Sequence, residues 1–408
     1  MTIQNKSSCS NFGSLIITAI FILIFFGFGI HKASAIQLRG STSVEALLFP
    51  EESIHPGQED HAVSWVARPE FYHSFDDGSL FTFLPHFRLD SADNERTHFD
   101  IRDLSFILAK DDYDFKVGVR QVFWGVAESI RLVDIVNQTD LVDSSGGDQK
   151  LGQPMVNLTL YKDWGILDIF ILPYFRERTF PGRGGRFRPS LLVDTDQEEF
   201  ESSAKNWHTD LAFRYFQNFQ DFDFAVSQFI GTSRDPQFNL GVRDDGELFL
   251  KPFYPQIEQT GLELSYIIGR GILKFEGIRR SGFGEDYYAS AQGFEYTFSG
   301  IGGTGMDVTL FAEYLYDHRG EKMAVFDNDV SFTVSWVLND IPSTAFVAGI
   351  TQDIGGPAKF IFAQASRRLT RNISTSLVFQ TFLDQPNDDL IFDLRDDDSF
   401  RFEMTYNF

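Results

Sequence analysis

Cysteine is all but missing from this chain. Cys9 is the only one in 408 residues, and it falls in an N-terminal stretch that reads as an export signal. Without it the chain has no disulfide framework and no thiol chemistry, which suits an exported protein. Basic residues are scarce too: 35 Lys and Arg stand against 58 Asp and Glu, a net charge of −23. That excludes nucleic acid as a partner, because phosphate binding needs a basic face. Metal motifs are missing. His55, His61, His73, His86, His98, His208 and His318 offer no HExxH and no paired spacing. The acidic run at 388–398 lacks the EF-hand spacing and its glycine, leaving only loose divalent-ion bridging at a surface. No metal and no cofactor is expected. Long apolar runs are missing after residue 30, so no membrane helix is expected in the body of the chain.

The one apolar run, Ser14 to Ile30, follows Lys6 and precedes Ala33-Ser34-Ala35. A positive start, an apolar middle and a small-x-small site read as a secretory signal cleaved after Ala35, with an uncleaved anchor as the alternative. The expected organisation is a signal at 1–35 and a single domain at 36–408. Removing 1–35 takes away two lysines and no acid, leaving 33 basic against 58 acidic residues, or −25.

What the chain has in excess is phenylalanine, 45 residues of a 15% aromatic share. Much of it sits in period-two alternation. Ile36, Leu38, Gly40, Thr42, Val44, Ala46 and Leu48 share one face, with Gln37, Arg39, Ser41, Ser43 and Glu45 opposite. Val63 to Phe71 repeats the pattern, Asp77-Gly78 marks a tight turn, and Phe81 to Leu89 returns. Further runs occupy 98–108, 114–124, 154–162, 166–178, 206–216, 222–231, 256–267, 272–280, 287–298, 306–316, 329–338, 344–352, 358–368, 373–382 and 398–408. That makes about eighteen strands, with sixteen the alternative count, each near the 9–11 residues that cross a bilayer when tilted. Connections alternate between short turns and longer polar segments such as 125–153, 179–205 and 232–255. The expected fold is all-β, an antiparallel up-and-down transmembrane barrel with both termini on the short-turn side. A soluble β-sandwich also alternates, but its core needs no aromatic excess near strand ends.

The chain closes on SFRFEMTYNF, with Phe400, Phe402, Met404, Tyr406 and Phe408 on one face. This ending resembles the C-terminal signal of Gram-negative outer-membrane β-barrels, porin-like channels among them. The resemblance implies the cell outer membrane as location, lipid and lipopolysaccharide as surroundings, and the barrel-assembly machinery as the partner that reads the last strand. A second stretch, VGVRQVFWGVAESIRLVDIVNQTD at 117–140, is similar to a segment of some large exported barrels. There Trp-Gly precedes an Asp and an Asn-x-x-Asp, here Trp124-Gly125, Asp134 and Asn137 with Asp140. The proline that often follows that Asn is Gln138 in this chain.

About eighteen strands enclose more than side chains can fill, so a channel or an inserted segment is expected. The polar strand rows should face the lumen. They carry Arg39, Arg68, Arg88, Arg102, Arg120, Arg176, Arg178, Arg214, Arg367 and Arg401, with Glu45, Glu70, Asp168, Asp210, Glu313 and Glu403 among them. Such arginines either select anions or simply pair across strands and stiffen the wall. The segment 125–153, with Glu128, Arg131, Asp134, Asn137 and Asp140, is the candidate constriction. Gly300 to Gly305 matches G-x-G-x-x-G, but a strand follows it instead of the helix a dinucleotide site needs, so it reads as a turn. Pro181 to Pro189, rich in Gly and Arg, reads as a mobile surface loop, with an anion nest or a lipopolysaccharide contact as the alternatives. No G-x-S-x-G occurs, and His208 with Asp210 alone does not make a hydrolase, so no enzyme is expected. The expected function is a porin-like channel for small polar solutes, with an anion preference. The alternatives are a barrel for lipid, hydrocarbon or polyanionic polysaccharide, or a non-conducting surface barrel.

Overall fold

Eighteen antiparallel strands close into a barrel because the first strand pairs with the last. The computed structural model describes residues 36–143 and 149–408; the expected signal at 1–35 lies outside them. In chain order the strands are β1 (Gln37–Leu48), β2 (His61–Ser74), β3 (Leu80–Asp90), β4 (His98–Ala109), β5 (Tyr113–Arg120), β6 (Gln153–Lys162) and β7 (Gly165–Leu172). There follow β8 (Glu199–Phe200), β9 (Asp210–Phe219), β10 (Phe222–Thr232), β11 (Gln237–Val242), β12 (Leu248–Tyr254), β13 (Gln256–Ile268) and β14 (Gly271–Ser281). The last are β15 (Tyr287–Phe298), β16 (Asp307–Asp317), β17 (Asn328–Val337), β18 (Ala345–Asp353), β19 (Lys359–Arg368), β20 (Ile373–Leu383) and β21 (Ser399–Asn407). All but β8, β11 and β12 form the barrel. Closure places Val44 opposite Met404 and Leu48 opposite Phe400. The seam ends in two backbone bonds, Gly40 N to Phe408 O and Phe408 N to Gly40 O, each 3.0 Å.

Alternation sorts the side chains as the strand period requires. Val44, Trp65, Phe87, Phe99, Ile230, Phe332, Phe346, Leu377, Phe402 and Tyr406 all point outward and stay exposed. A continuous apolar exterior on a closed barrel is what hydrocarbon demands, since closure leaves no unpaired strand edge. The opposite row turns inward, with Glu45, Arg88, Asn157, Glu263, Glu276 and Glu313 buried inside.

Turns at one end are short, as at Asp77-Gly78, and connections at the other end are long. Three expectations are corrected there. β5 stops at Arg120 instead of running to 124, and β7 stops at Leu172, one residue before Pro173, instead of running to 178. Proline has no N–H for the ladder and ends the strand. The connection 232–255 is not plain loop: β11 and β12 form a hairpin, and β12 pairs in parallel with β8.

Candidate functional site

The chain leaves the wall after β5 and folds into the lumen. Val122 N donates to Asn137 Oδ1 at 2.8 Å, and Asn137 Nδ2 donates back to the carbonyls of Arg120 and Leu151, both 2.8 Å. Asn137 therefore ties both feet of the inserted segment together. Trp124, Val133, Ile135 and Val136 pack on inward apolar residues of the wall, among them Phe170, Leu172, Phe229 and Ile257. Buried apolar area holds this segment down at roughly 25 cal/mol per Å² removed from water.

Three wall carboxylates fix its backbone. Glu276 of β14 accepts from the amides of Val126 and Ala127 at 2.5 and 2.7 Å. Glu313 of β16 accepts from Glu128 and Ser129 at 2.8 and 2.7 Å, and Glu263 of β13 from Gly125 at 3.1 Å. An irregular backbone inside a barrel needs such partners, because an unmet buried N–H is costly. Glu128 also reaches Lys274 at 2.7 Å, and Asp134 sits 3.6 Å from Lys150. Burial raises the Asp134 carboxyl above its usual range, against the pull of Lys150. Arg131 lies beside Gly125, whose α-carbon has room for no side chain between Arg131 and Glu276. All five residues of the expected constriction thus belong to this inserted segment.

The far end of the segment enters an arginine–carboxylate cluster. Asp140 takes Arg102 at 2.5 Å and the Thr179 hydroxyl at 2.6 Å. Asp143 takes Arg88 at 2.7 Å, Arg102 at 3.3 Å and Arg68 at 3.4 Å. Arg88 also holds Glu45 at 2.8 Å, and Arg96 bridges Glu45 and Asp90 at 2.9 and 3.0 Å. His86 and His98 stack beside Asp143 with centroids 5.3 Å apart. Their ligand atoms could gather a cation. However, Arg68 Nε donates to His86 Nδ1 at 3.1 Å, which leaves the ring proton on Nε2 facing Asp143. Three guanidiniums around one carboxylate suit an ion-pair cluster rather than a metal ion.

Most of the expected lumen arginines are therefore paired. Arg39 holds Glu70 at 2.7 Å, Arg214 holds Glu263 at 2.8 Å, Arg176 holds Asp100 at 2.8 Å, and Arg178 holds Asp235 at 2.6 Å. Arg176 and Arg178 reach these partners from the connection after β7, not from a strand. Arg120 is inward and half-buried, with its buried Nε unpartnered among the described residues. Arg401 is inward. Arg367 is a correction: it pairs with Thr375 on the outward row, near the short-turn rim. The β19 sequence KFIFAQASRR fits either phase, and the barrel turns Phe360 and Phe362 inward instead. Gly349, inward on β18, gives Phe362 the space that a side chain would fill.

Pro181 to Pro189 is also corrected. It is docked: Gly182 N donates to Asp93 at 2.8 Å, Phe187 N to Asp397 at 2.7 Å, and Arg186 to Asp397 at 2.6 Å. His208 does meet Asp210 at 2.8 Å, but Asp210 is also engaged by Arg234 at 2.7 Å and by Thr232 N at 2.9 Å. The wall carboxylates Glu263 and Glu276 were missed among the site residues. Their place on the inward row of β13 and β14 was the available signal.

The inserted segment does not fill the barrel. Its anchors fall on β2 to β16. On β17 to β21, inward residues such as Thr333, Ser335, Val347, Gln364 and Glu403 keep solvent exposure. A closed sheet, an apolar outside and a polar, partly solvated inside decide the class. The chain is a multi-pass transmembrane β-barrel of eighteen antiparallel strands. No protein-family model and no curated protein matches it. Among solved structures it is similar to a loop-deletion mutant of OmpT, an outer membrane protein of Vibrio cholerae, with 9% identity and a TM-score of 0.47. It is also similar to a triple mutant of Rhodopseudomonas blastica porin, with 11% identity and a TM-score of 0.44. Each comparison covers 92% of this barrel chain and 100% of the other.

Proposed function

We propose that this barrel is a channel through which small polar solutes diffuse, with a preference for anions. One observation carries the reading: the described part of the inserted segment, residues 121–143, occupies one side of the lumen while inward residues of β17 to β21 such as Thr333, Gln364 and Glu403 keep solvent exposure. A loop anchored by hydrogen bonds and apolar packing sets a constriction, and the remaining wall sets its chemistry. The anion preference rests on Arg401, which faces that side with no ion pair within 4 Å among the described residues and acts on Glu45 only at longer range. Single-channel recording of the purified barrel in planar bilayers tests the reading. Discrete steps in KCl and a reversal potential favouring chloride are expected. No conductance removes the channel, and clear cation preference removes the anion selectivity.

A second reading has its own observation. Phe360, Phe362 and Phe382 line the inward face, with centroids 6.1 and 5.2 Å apart. Rings turned into a lumen favour a cargo with apolar surface, such as a lipid or hydrocarbon. Faster liposome swelling with sugars than with apolar acids would count against it.

A further inference from the structure

Arg367 carries a positive charge to the lipid-facing side of the barrel. It is the last outward position of β19, opposite Thr375 of β20. One outward step before it, Ala365 lies between Phe346 of β18 and Leu377 of β20, both members of the exposed apolar band. Arg367 therefore sits at the edge of that band, on the short-turn rim. Arg371 follows in the exposed turn that leads into β20. Neither arginine has an ion pair within 4 Å or a side-chain hydrogen bond among the described residues, and Arg367 acts on Asp340 only at longer range. Asp340 is itself engaged, accepting from Thr344 N at 2.7 Å and from Thr344 Oγ1 at 2.8 Å. One turn away, Asp307 accepts from Asn339 Nδ2 at 2.8 Å.

The turns on either side of this rim are tied together. Arg368 N donates to Pro342 O at 2.8 Å, and the Arg368 guanidinium donates to the Ile341 carbonyl at 2.8 Å and the Ser343 hydroxyl at 2.9 Å. The tie sets Ile341, 92% exposed, in the β17–β18 turn beside Leu369, 57% exposed, in the β19–β20 turn. Apolar side chains this exposed are unfavourable in water, and here they continue the surface that lipid covers. Three arginines, Arg367, Arg368 and Arg371, stand against one acid, Asp340, in these two turns, a balance of +2. An arginine at the edge of hydrocarbon lays its stem along apolar surface and puts its guanidinium at headgroup level. The anion found at that level is a lipid phosphate, whose oxygens match the guanidinium fork.

We infer that the rim formed by the β17–β18 and β19–β20 turns is a binding site for the headgroup of an anionic phospholipid. Arg367 and Arg371 take the phosphate, and an acyl chain runs along the adjoining band. There Trp336 and Phe346 stand with ring centroids 5.8 Å apart, with Leu377 two strands on. Charge and position together select the occupant: the rim is net positive and continuous with the lipid-facing surface. A zwitterionic lipid brings its own ammonium beside the phosphate and answers that charge less well. The site lies on the outside of the barrel, so it holds whether or not the lumen conducts.

The whole barrel, folded in detergent, is offered phosphatidylglycerol and phosphatidylethanolamine in turn, and retained lipid is read by native mass spectrometry. Phosphatidylglycerol should bind about fivefold or more tightly than phosphatidylethanolamine, since each basic side chain at a membrane surface favours anionic lipid by about that factor. Arg367→Gln combined with Arg371→Gln should weaken phosphatidylglycerol roughly tenfold or more. Arg367→Lys combined with Arg371→Lys keeps both charges and should recover part of that loss. Arg270→Gln removes an exposed charge from the turn between β13 and β14, on the same end of the barrel, and should change nothing. Heat-sensitive electrophoretic mobility checks that each variant is a closed barrel. Glycerol phosphate, the same phosphate without acyl chains, should not be retained. Equal retention of phosphatidylglycerol by the wild type and the double glutamine variant overturns the site, as does an equal loss in Arg270→Gln. Equal binding of the two lipids removes the preference for an anionic headgroup and overturns it too. Glycerol phosphate binding as tightly as the lipid would make this a free-phosphate site and overturn the lipid assignment.

Discussion

Asp143 concentrates the electrostatics of the lumen in one side chain. Its carboxylate is 1% exposed and faces Arg68, Arg88, Arg102 and His86. Burial alone would raise its pKa. The His86 ring 3.4 Å away and the charges of Arg88 and Arg102 overcome that and hold it well below the usual carboxylate range. The sign follows: a depressed folded value gives stability that is present above the unfolded value, near 4, and is lost only as pH falls through the folded one. Acidification from pH 7 to about 4 should therefore leave this anchor of the inserted segment intact. Asp143→Asn removes the charge and leaves buried guanidiniums short of a partner, which costs about 3–5 kcal/mol when a buried pair is broken. A lower urea midpoint of the refolded barrel is the expected result. An unchanged midpoint would mean that Glu45, Asp100 and Asp140 neutralise the cluster without it.

The inserted segment is the element that turns a wide barrel into a narrow one, and its carboxylate clamp can be tested apart from the arginine cluster. Glu276→Ala strands the amides of Val126 and Ala127, at roughly 1–3 kcal/mol for each buried donor left unmet. The segment should then lift from β14, and single-channel conductance should rise with added open-channel noise. Conductance equal to wild type would show that Glu263 and Glu313 hold the segment unaided. The barrel strands around it were readable from sequence because a two-sided wall forces strict alternation, as in β21. The end of β5 was not readable. The run VGVRQVFWG keeps alternating past Arg120, and it is Asn137, seventeen residues on, that captures Val122 N. The end of β7 was readable at Pro173. So was the β11–β12 hairpin, whose Asp245-Gly246 turn sits between alternating runs, with Gly246 at φ 89°. The phase of β19 was hidden because both of its rows mix apolar and polar residues, and only pairing with β18 and β20 decides which faces water. The partners of the lumen arginines were hidden for a related reason. Charge pairs such as Arg88 with Asp143 join residues 55 apart in sequence.

At the scale of the whole barrel, stability depends on one seam, because a closed sheet has no edge until β1 and β21 part. The final residues FRFEMTYNF serve that seam. Phe402 and Met404 face lipid while Arg401 and Glu403 face the lumen, and Phe408 exchanges both backbone bonds with Gly40. Gly40 is held at φ 153°, and a Cβ there would lie 2.5 Å from the Arg68 carbonyl oxygen. No side chain fits without moving β1 away from β2. Gly40→Val should therefore weaken the seam from the β2 side, and deletion of Phe408 should weaken it from the β21 side. Both variants should lose the compact, heat-sensitive electrophoretic mobility of a closed barrel at lower temperature or urea than wild type. If the final strand is also read during assembly, the Phe408 deletion should in addition lower the amount of barrel inserted in the membrane, beyond the loss seen with Gly40→Val at matched stability. Equal insertion of the two variants would confine Phe408 to closing the sheet.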